Sequence, residues 1–142
     1  MPLPGQSEIN VYDMLDERTA VEHFLNKTLE QAQAMFAENG ETYQEDLMWM
    51  GPVAFAFYLQ AAVNYLQSEE AAGDDYFIYC LHSIVVFRLK EKGFSLAIDT
   101  VNKLVDYVIN NYEKFKIDPV AFGNLLGKYR QLRMLLAEQE TN

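Results

Sequence analysis

Hydrophobic residues between positions 19 and 40 recur at the i, i+3, i+4 spacing that places them on one face of a helix. This stripe consists of Val21, Phe24, Leu25, Leu29, Ala32, Met35 and Phe36. Thr19 and Glu22 have the spacing of a capping box, in which a hydroxyl and a carboxylate satisfy free backbone N–H groups. Gly40 is predicted to end the helix, because glycine readily adopts the conformation of a helix terminus. The acidic stretch 41–50 is predicted to be a turn.

Two later stretches show the same amphipathic spacing. The first covers residues 95–115, with Ser95 as its predicted N-cap. The second begins at Asp118, a favourable cap, followed by Pro119 at the first helical position, where its missing N–H costs nothing. Its hydrophobic stripe continues to Leu136. These stretches predict two further amphipathic helices.

The segment 52–67 is apolar on nearly every side and begins with a proline suited to the first turn of a helix. Its apolar run, residues 53–66, is interrupted by Gln60 and Asn64. A membrane-spanning helix needs about 20 apolar residues, so a run of this length favours a buried core helix. An oligomer interface or the wall of a ligand site are the alternatives.

Residues 76–93 form a second segment that is apolar on most sides. Three consecutive β-branched residues at 84–86 leave a buried strand as the competing interpretation. The length of the segment favours a helix. The cations between 88 and 92 also favour one, because they stabilise the negative end of a helix dipole and precede Gly93. An aspartate at 74 or 75 is the predicted cap.

Together these elements predict an all-α fold: a single-domain bundle of about five helices with an apolar central helix pair. The three amphipathic helices are expected to surround that pair. A chain of 142 residues fits one domain and can bury a core without a disulfide or metal. Residues 1–10, which carry two prolines and a glycine, are predicted to be a flexible N-terminal tail. Residues 11–142 are predicted to form the single helical domain.

The charge of the chain changes this picture, because it is unevenly placed. The net charge is −10; residues 1–75 hold 14 acidic and 2 basic side chains, and residues 76–142 hold 7 and 9. Such an acidic first half repels nucleic-acid phosphates and anionic membrane surfaces, and it attracts a basic protein. The alternative is that the acidity only keeps the protein soluble.

The cysteine content and the first residues bear on the compartment. Cys80 is the single cysteine, so it has no internal disulfide partner, which fits a reducing cytosol. The first ten residues lack the basic and apolar regions of a signal peptide. A cytoplasmic protein is therefore expected.

The sequence lacks the patterns that usually carry metal or catalytic chemistry. Neither His23 nor His82 is preceded by a glutamate three residues earlier, as a di-iron helical bundle requires. Hydrolase and phosphate-loop motifs are also missing. No metal, no cofactor and no enzymatic activity are predicted. His82 is expected to be a hydrogen-bonded core histidine, Cys80 a small buried hydrophobe, and His23 a solvated residue on a polar helix face.

One cluster is a candidate for binding a partner. Glu41, Glu45 and Asp46 precede Trp49, and an aromatic anchor beside acidic residues is a common composition of protein interfaces. The alternatives are a solvated loop, a tryptophan that packs in the core, and carboxylates that act as an acid–base pair in a cleft.

A different hypothesis places a small apolar ligand in the core of the bundle. Its predicted site consists of Phe55, Tyr58, His82, Gly123 and Gly127. The two glycines lie four apart in a predicted helix, so they share one face and allow close approach of another helix or a ligand. The two glycines by themselves favour a tight crossing of two helices within the chain, and an oligomer contact is a further alternative.

The segment AFAFYLQAAVNYL, residues 54–66, resembles a core helix found in uncharacterised helical bacterial proteins that reads Ala-Phe-x-Tyr-Tyr-Leu-Pro-Ala. Some of those proteins look like components of toxin–immunity loci. The matching positions are Ala54, Phe55, Tyr58, Leu59 and Ala61, whereas Phe57 replaces a tyrosine and Gln60 stands where the family often has proline. The resemblance covers about a tenth of the chain and implies a helical bacterial protein.

The sequence therefore leads to a non-enzymatic, acidic protein-binding module as the first functional hypothesis. An immunity-type inhibitor that covers a cationic active site is one concrete form, and an adaptor is another. A bundle that binds a small apolar ligand is the alternative. A homodimer is compatible with each.

Overall fold

The computed structural model describes residues 2–141, which form eight α-helices and no strand. The helices are α1 (Gln6–Ile9), α2 (Leu15–Phe24), α3 (Leu29–Trp49), α4 (Pro52–Gln67), α5 (Asp75–Arg88), α6 (Ile98–Asn110), α7 (Pro119–Phe122) and α8 (Leu125–Thr141). Short 3₁₀ segments occupy Glu69–Ala71, Phe94–Ala97 and Tyr112–Phe115. The predicted all-α, single-domain fold is confirmed, whereas the predicted count of five helices is wrong.

The first predicted helix is divided into α2 and α3. The chain turns after Phe24, with Asn26 in the left-handed region at φ 65°. The capping box that starts α3 belongs to Thr28 and Gln31: the Thr28 hydroxyl accepts the Gln31 N–H at 3.1 Å, and the Gln31 side chain accepts the Thr28 N–H at 2.9 Å. The hydroxyl of Thr19, the predicted cap, instead donates to a backbone carbonyl inside α2.

The predicted helix end at Gly40 and the predicted turn after it are also wrong. α3 continues to Trp49, with one kink at Asn39, where φ is −153° and ψ is 67°. The Asn39 side chain accepts the N–H of Thr42 at 3.2 Å and so caps the second half of the helix. Gly40 serves close packing: a methyl group there would lie 3.0 Å from the ring of Phe77.

The central helix of the bundle is α4, whose bounds match the prediction. Nine of its 16 residues are buried, and it packs against α1, α3 and α6. The expectation of a buried core helix is confirmed. Gly51, just before it, is required by the close approach of α1. A methyl group at Gly51 would lie 2.3 Å from the carbonyl oxygen of Glu8, and the Gly51 N–H donates to Ile9.

The second apolar helix, α5, lies less centrally than predicted. Asp74 caps it by accepting the N–H of Phe77, as the sequence suggested. Its inner side is buried against α3 and α8, but Tyr76, Val86 and Phe87 are exposed on its outer side. α5 therefore supplies both core and apolar surface.

The N-terminal residues, the start of α6 and the length of the helix after Asp118 also differ from the predictions. Residues 6–9, expected in a flexible tail, form α1, and Ile9 is fully buried. A 3₁₀ segment over Phe94–Ala97 precedes α6, so Ser95 is not its cap. Asp118 does cap a helix, but Gly123, at φ 64°, ends that helix after four residues.

Side chains from distant parts of the chain hold the carboxyl ends of α2, α3 and α4. The last carbonyl groups of a helix have no partner within it, so these bonds supply donors to acceptors at the helix ends. The pairs, donor first, are Tyr58 and Phe24 (2.8 Å), Arg88 and Leu47 (2.9 Å), and Lys114 and Leu66 (2.6 Å).

Within residues 2–141, no helix has both the length and the hydropathy needed to cross a bilayer.

Candidate docking face on helices α3 and α5

Three of the four residues predicted to bind a partner share one exposed face of α3. Glu41, Glu45 and Trp49 follow one another at intervals of four residues, which aligns them along a helix. All three are exposed, and Trp49 is 39% exposed. Asp46 lies elsewhere on α3 and is buried, so the prediction that it joins this face is wrong.

Residues of α5 extend this surface. The rings of Trp49 and Phe87 meet edge to face, with centroids 5.7 Å apart, and Phe87 is 51% exposed. Tyr76 is exposed at the opposite end of α5 from Phe87. The hydrogen bond between Tyr76 and Cys80 raises the pKa of the Tyr76 hydroxyl, and the charges of Glu41 and Glu45 add to this rise. We define the docking face as Glu41, Glu45 and Trp49 of α3 with Tyr76 and Phe87 of α5.

Cys80, which precedes Phe87 by two turns on α5, is buried beside Tyr76. Burial raises the pKa of its thiol, and the carboxylates of Glu41 and Glu45 raise it further. A high pKa keeps a thiol protonated and unreactive. Cys80 thus acts as the small buried hydrophobe that the sequence predicted.

A cavity of about 360 Å³ lies at the Trp49 end of the docking face. Trp49 and Phe87 form one side, and Tyr12 and Met14 form another. Tyr12 and Met14 are both largely exposed. The cavity joins the docking face to the loop before α2, so the exposed apolar area extends beyond the two helices.

The loop that carries Tyr12 is held by one carboxylate. Glu17 is buried and accepts the backbone N–H groups of Val11 (2.7 Å), Tyr12 (3.1 Å) and Met14 (3.2 Å). These charge-assisted bonds order the loop from within. The exposed apolar side chains are therefore presented on a fixed backbone.

Arg88 lies beneath the same cavity, but its polar atoms are already used. Its side chain is 3% exposed, and one guanidinium nitrogen donates to the carbonyl oxygens of Leu47 and Met48 at 2.9 and 3.1 Å. The guanidinium also stacks 4.3 Å from the ring centre of Phe55. Arg88 therefore fastens α5 to the end of α3, and it has little capacity left for a ligand.

Asp46 forms a second polar centre, which the sequence did not indicate. Its carboxylate lies 2.6 Å from Nδ1 of His23, and the His23 ring packs edge to face on Tyr43. Burial raises the pKa of Asp46 to about 6, although the hydrogen bond from His23 opposes this rise. The expectation that His23 is solvated is wrong, because its side chain is only 29% exposed. The two residues are 23 positions apart, and no local spacing signals their pairing.

The five residues of the alternative ligand site are not brought together. Phe55 packs under Arg88, and the Tyr58 hydroxyl binds the carbonyl groups that end α2. His82 is half-buried and donates to a carbonyl of α8, and burial lowers its pKa. Gly123 ends α7 and Gly127 lies in α8 against Asn124, so the two glycines do not share a helix face.

Within the described part of the chain, no three or more His, Cys, Asp and Glu side chains gather where they could hold a metal ion. The chain matches no protein-family model, no curated protein and no solved structure.

Proposed function

We propose that this chain is a non-enzymatic protein-binding module whose docking face takes a basic protein partner. The observation that carries the proposal is the exposed Trp49–Phe87 pair beside the exposed carboxylates of Glu41 and Glu45. The apolar pair offers an anchor, and the carboxylates select the charge of the partner. The single cysteine and the resemblance of residues 54–66 support a place in the bacterial cytoplasm.

The aromatic pair supports binding through its energetics. Tryptophan is among the residues that contribute most to protein interfaces, where a few central side chains supply most of the affinity. Large aromatic side chains that remain in water keep apolar area available for burial. The rings of Trp49 and Phe87 already contact each other, so little conformational entropy is lost when a partner covers them.

The charge of the face supports a basic partner. Among the described residues, the carboxylates of Glu41 and Glu45 have no ion pair. The net balance of residues 1–75 is also strongly acidic. Complementary charge accelerates association and fixes orientation more than it adds affinity. Binding is therefore expected to weaken as salt concentration rises.

An immunity-type inhibitor is the concrete form that we favour. An acidic surface with an aromatic anchor can cover the cationic active site of a toxic enzyme and exclude its substrate. The resemblance of residues 54–66 to proteins of toxin–immunity loci agrees with this form. An adaptor that holds a basic protein without inhibiting it would use the same face.

The test is a comparison of variants in a pull-down from lysate of the source cells. The double variant Glu41→Lys/Glu45→Lys reverses the charge of the docking face, and Trp49→Ala removes its anchor. Asp99→Lys/Glu113→Lys changes the net charge equally at exposed positions outside the face. Circular dichroism verifies that each variant is folded, and each bound sample is washed at low and then high salt.

We expect one basic protein that the wild type and the control retain at low salt and release at high salt. Both docking-face variants should lose it, with Trp49→Ala weakening the purified complex at least about tenfold. Equal retention by all four proteins would contradict the assignment of the face. A second copy of this chain as the sole partner, found by sedimentation, would replace the proposal with a homodimer.

A further inference from the structure

A second cavity, of about 560 Å³, is lined in part by α4 and shares no residue with the docking face. Small-molecule sites commonly enclose 300–1,000 Å³ and are mostly apolar with a few placed polar groups. This cavity has that composition. Its main apolar walls are Leu3, Leu29, Val53, Ala56, Phe57 and Leu96.

The walls come from separate parts of the chain that are held in fixed positions. The segment before α1 forms one wall, and α1 is tied to the start of α4 by the hydrogen bond from Gly51 to Ile9. Val53 and Phe57, one turn apart on α4, form another part of the lining. Leu96 also lines the cavity and is 60% exposed. The cavity is therefore open to a ligand, and its apolar walls are left in water.

The polar groups of the cavity are Glu8, Gln60 and Thr100. One carboxylate oxygen of Glu8 accepts the N–H of Gly5 at 2.8 Å, which leaves the second oxygen available. The amide nitrogen of Gln60 donates to Asn64, which leaves the Gln60 carbonyl oxygen as an acceptor. Glu8 is the sole charged residue among those that the structure places on the lining.

The lining thus combines an apolar pocket with hydrogen-bond acceptors and one negative charge. Among the described residues of the lining, no cation would offset the repulsion between an anionic head group and the Glu8 carboxylate. An ammonium group satisfies both the charge and the acceptors. We propose that this cavity binds a small amphipathic cation, with its alkyl or aromatic body against Val53 and Phe57 and its ammonium group beside Glu8.

The test is isothermal titration calorimetry with three probes of equal chain length: octylammonium, octanol and octanoate. Glu8→Gln removes the charge but keeps an oxygen that can accept the Gly5 N–H. Ala56→Trp fills the cavity. Glu113→Gln is the matched control, because Glu113 is exposed and does not line the cavity. If Ala56→Trp fails to fold, Val53→Trp fills the same space from a partly exposed position.

We expect octylammonium to bind the wild type with a stoichiometry of one and to bind more tightly than octanol or octanoate. Glu8→Gln should weaken octylammonium about fivefold and leave octanol unchanged, since a partly exposed ion pair contributes modestly. The cavity-filling variant should abolish binding, and Glu113→Gln should have no effect.

Absence of saturable binding, or binding that the filled cavity does not reduce, would overturn the proposal. Equal affinity for all three probes would overturn the role of Glu8. The docking-face variants, which leave this cavity intact, should bind octylammonium as the wild type does. The two proposals therefore fail independently of each other.

Discussion

Nδ1 of His23 lies 2.6 Å from the carboxylate of Asp46, and this contact joins α2 to the second half of α3. The side chain of Asp46 is 6% exposed, so its charged form has lost most of its hydration. Glu45 and Asp16 add negative potential at the same point. The pair is therefore a place where protonation and stability are coupled.

Asp46 should make the stability of the protein depend on pH. The pKa of Asp46 is raised from 3.8 to about 6 in the folded protein. Between about pH 4 and pH 6, the folded state therefore holds a proton that the unfolded state has already released. The contribution of Asp46 is then fully present below about pH 4 and is lost as the pH rises through about 6. A rise of about two pKa units corresponds to about 3 kcal/mol. Urea unfolding at a series of pH values measures this dependence.

Asp46→Asn removes the titrating group and should flatten the fall in the free energy of unfolding between pH 4 and pH 7. Asp99→Asn, at an exposed position, is the control and should keep the wild-type slope. A variant Asp46→Asn with the wild-type slope would show that Asp46 does not take up this proton.

Arg88 should be among the side chains most costly to replace. Arg88→Met keeps much of the volume but leaves the carbonyl groups at the end of α3 without their buried donor. A buried acceptor left without its donor costs about 1–3 kcal/mol, and here more than one carbonyl group loses the same donor. Unfolding in guanidinium chloride measures the loss in the free energy of unfolding. Lys90→Met, at an exposed position two residues later, should change stability by less than about 0.5 kcal/mol.

Gly51→Ala should destabilise the contact between α1 and α4. The added methyl group would lie 2.3 Å from the carbonyl oxygen of Glu8, and backbone cannot move aside as a flexible side chain can. Overpacking of this kind costs about 1–3 kcal/mol. Thermal unfolding provides the measurement. Gly5→Ala is the comparison, since its nearest neighbouring atom would be 3.8 Å away, and an equal loss in both variants would argue against the steric cause.

Tyr58→Phe should reveal the value of the bond that ends α2. The variant keeps the buried ring and removes the hydroxyl that binds the carbonyl groups of Phe24 and Lys27. The Phe24 carbonyl would keep the N–H of Lys27, but the Lys27 carbonyl would lose this donor, which should lower the free energy of unfolding by about 1–3 kcal/mol. Tyr12→Phe, on a ring that is 80% exposed, should have almost no effect in the same urea titration.

The candidate docking face was predictable in part from α3 alone. Glu41, Glu45 and Trp49 lie four residues apart, and any helix through them places them on one side. Gly40 suggested that no helix continued there. A glycine inside α3 is tolerated at this position because Phe77 packs tightly against Gly40. The contact of Trp49 with Phe87, and the exclusion of Asp46 from the face, depend on how α5 and α2 pack on α3.

By itself the sequence determined the features that act within one or two helical turns. The bounds of α4, the cap Asp118, an aspartate cap at 74 or 75, and the all-α fold follow from hydrophobic period and cap chemistry, which are local. Tertiary structure alone decided the His23–Asp46 pair, the burial of Arg88 and the cavity beside Glu8. These join residues that lie far apart in the chain, and only the packing of one helix on another brings such residues within reach.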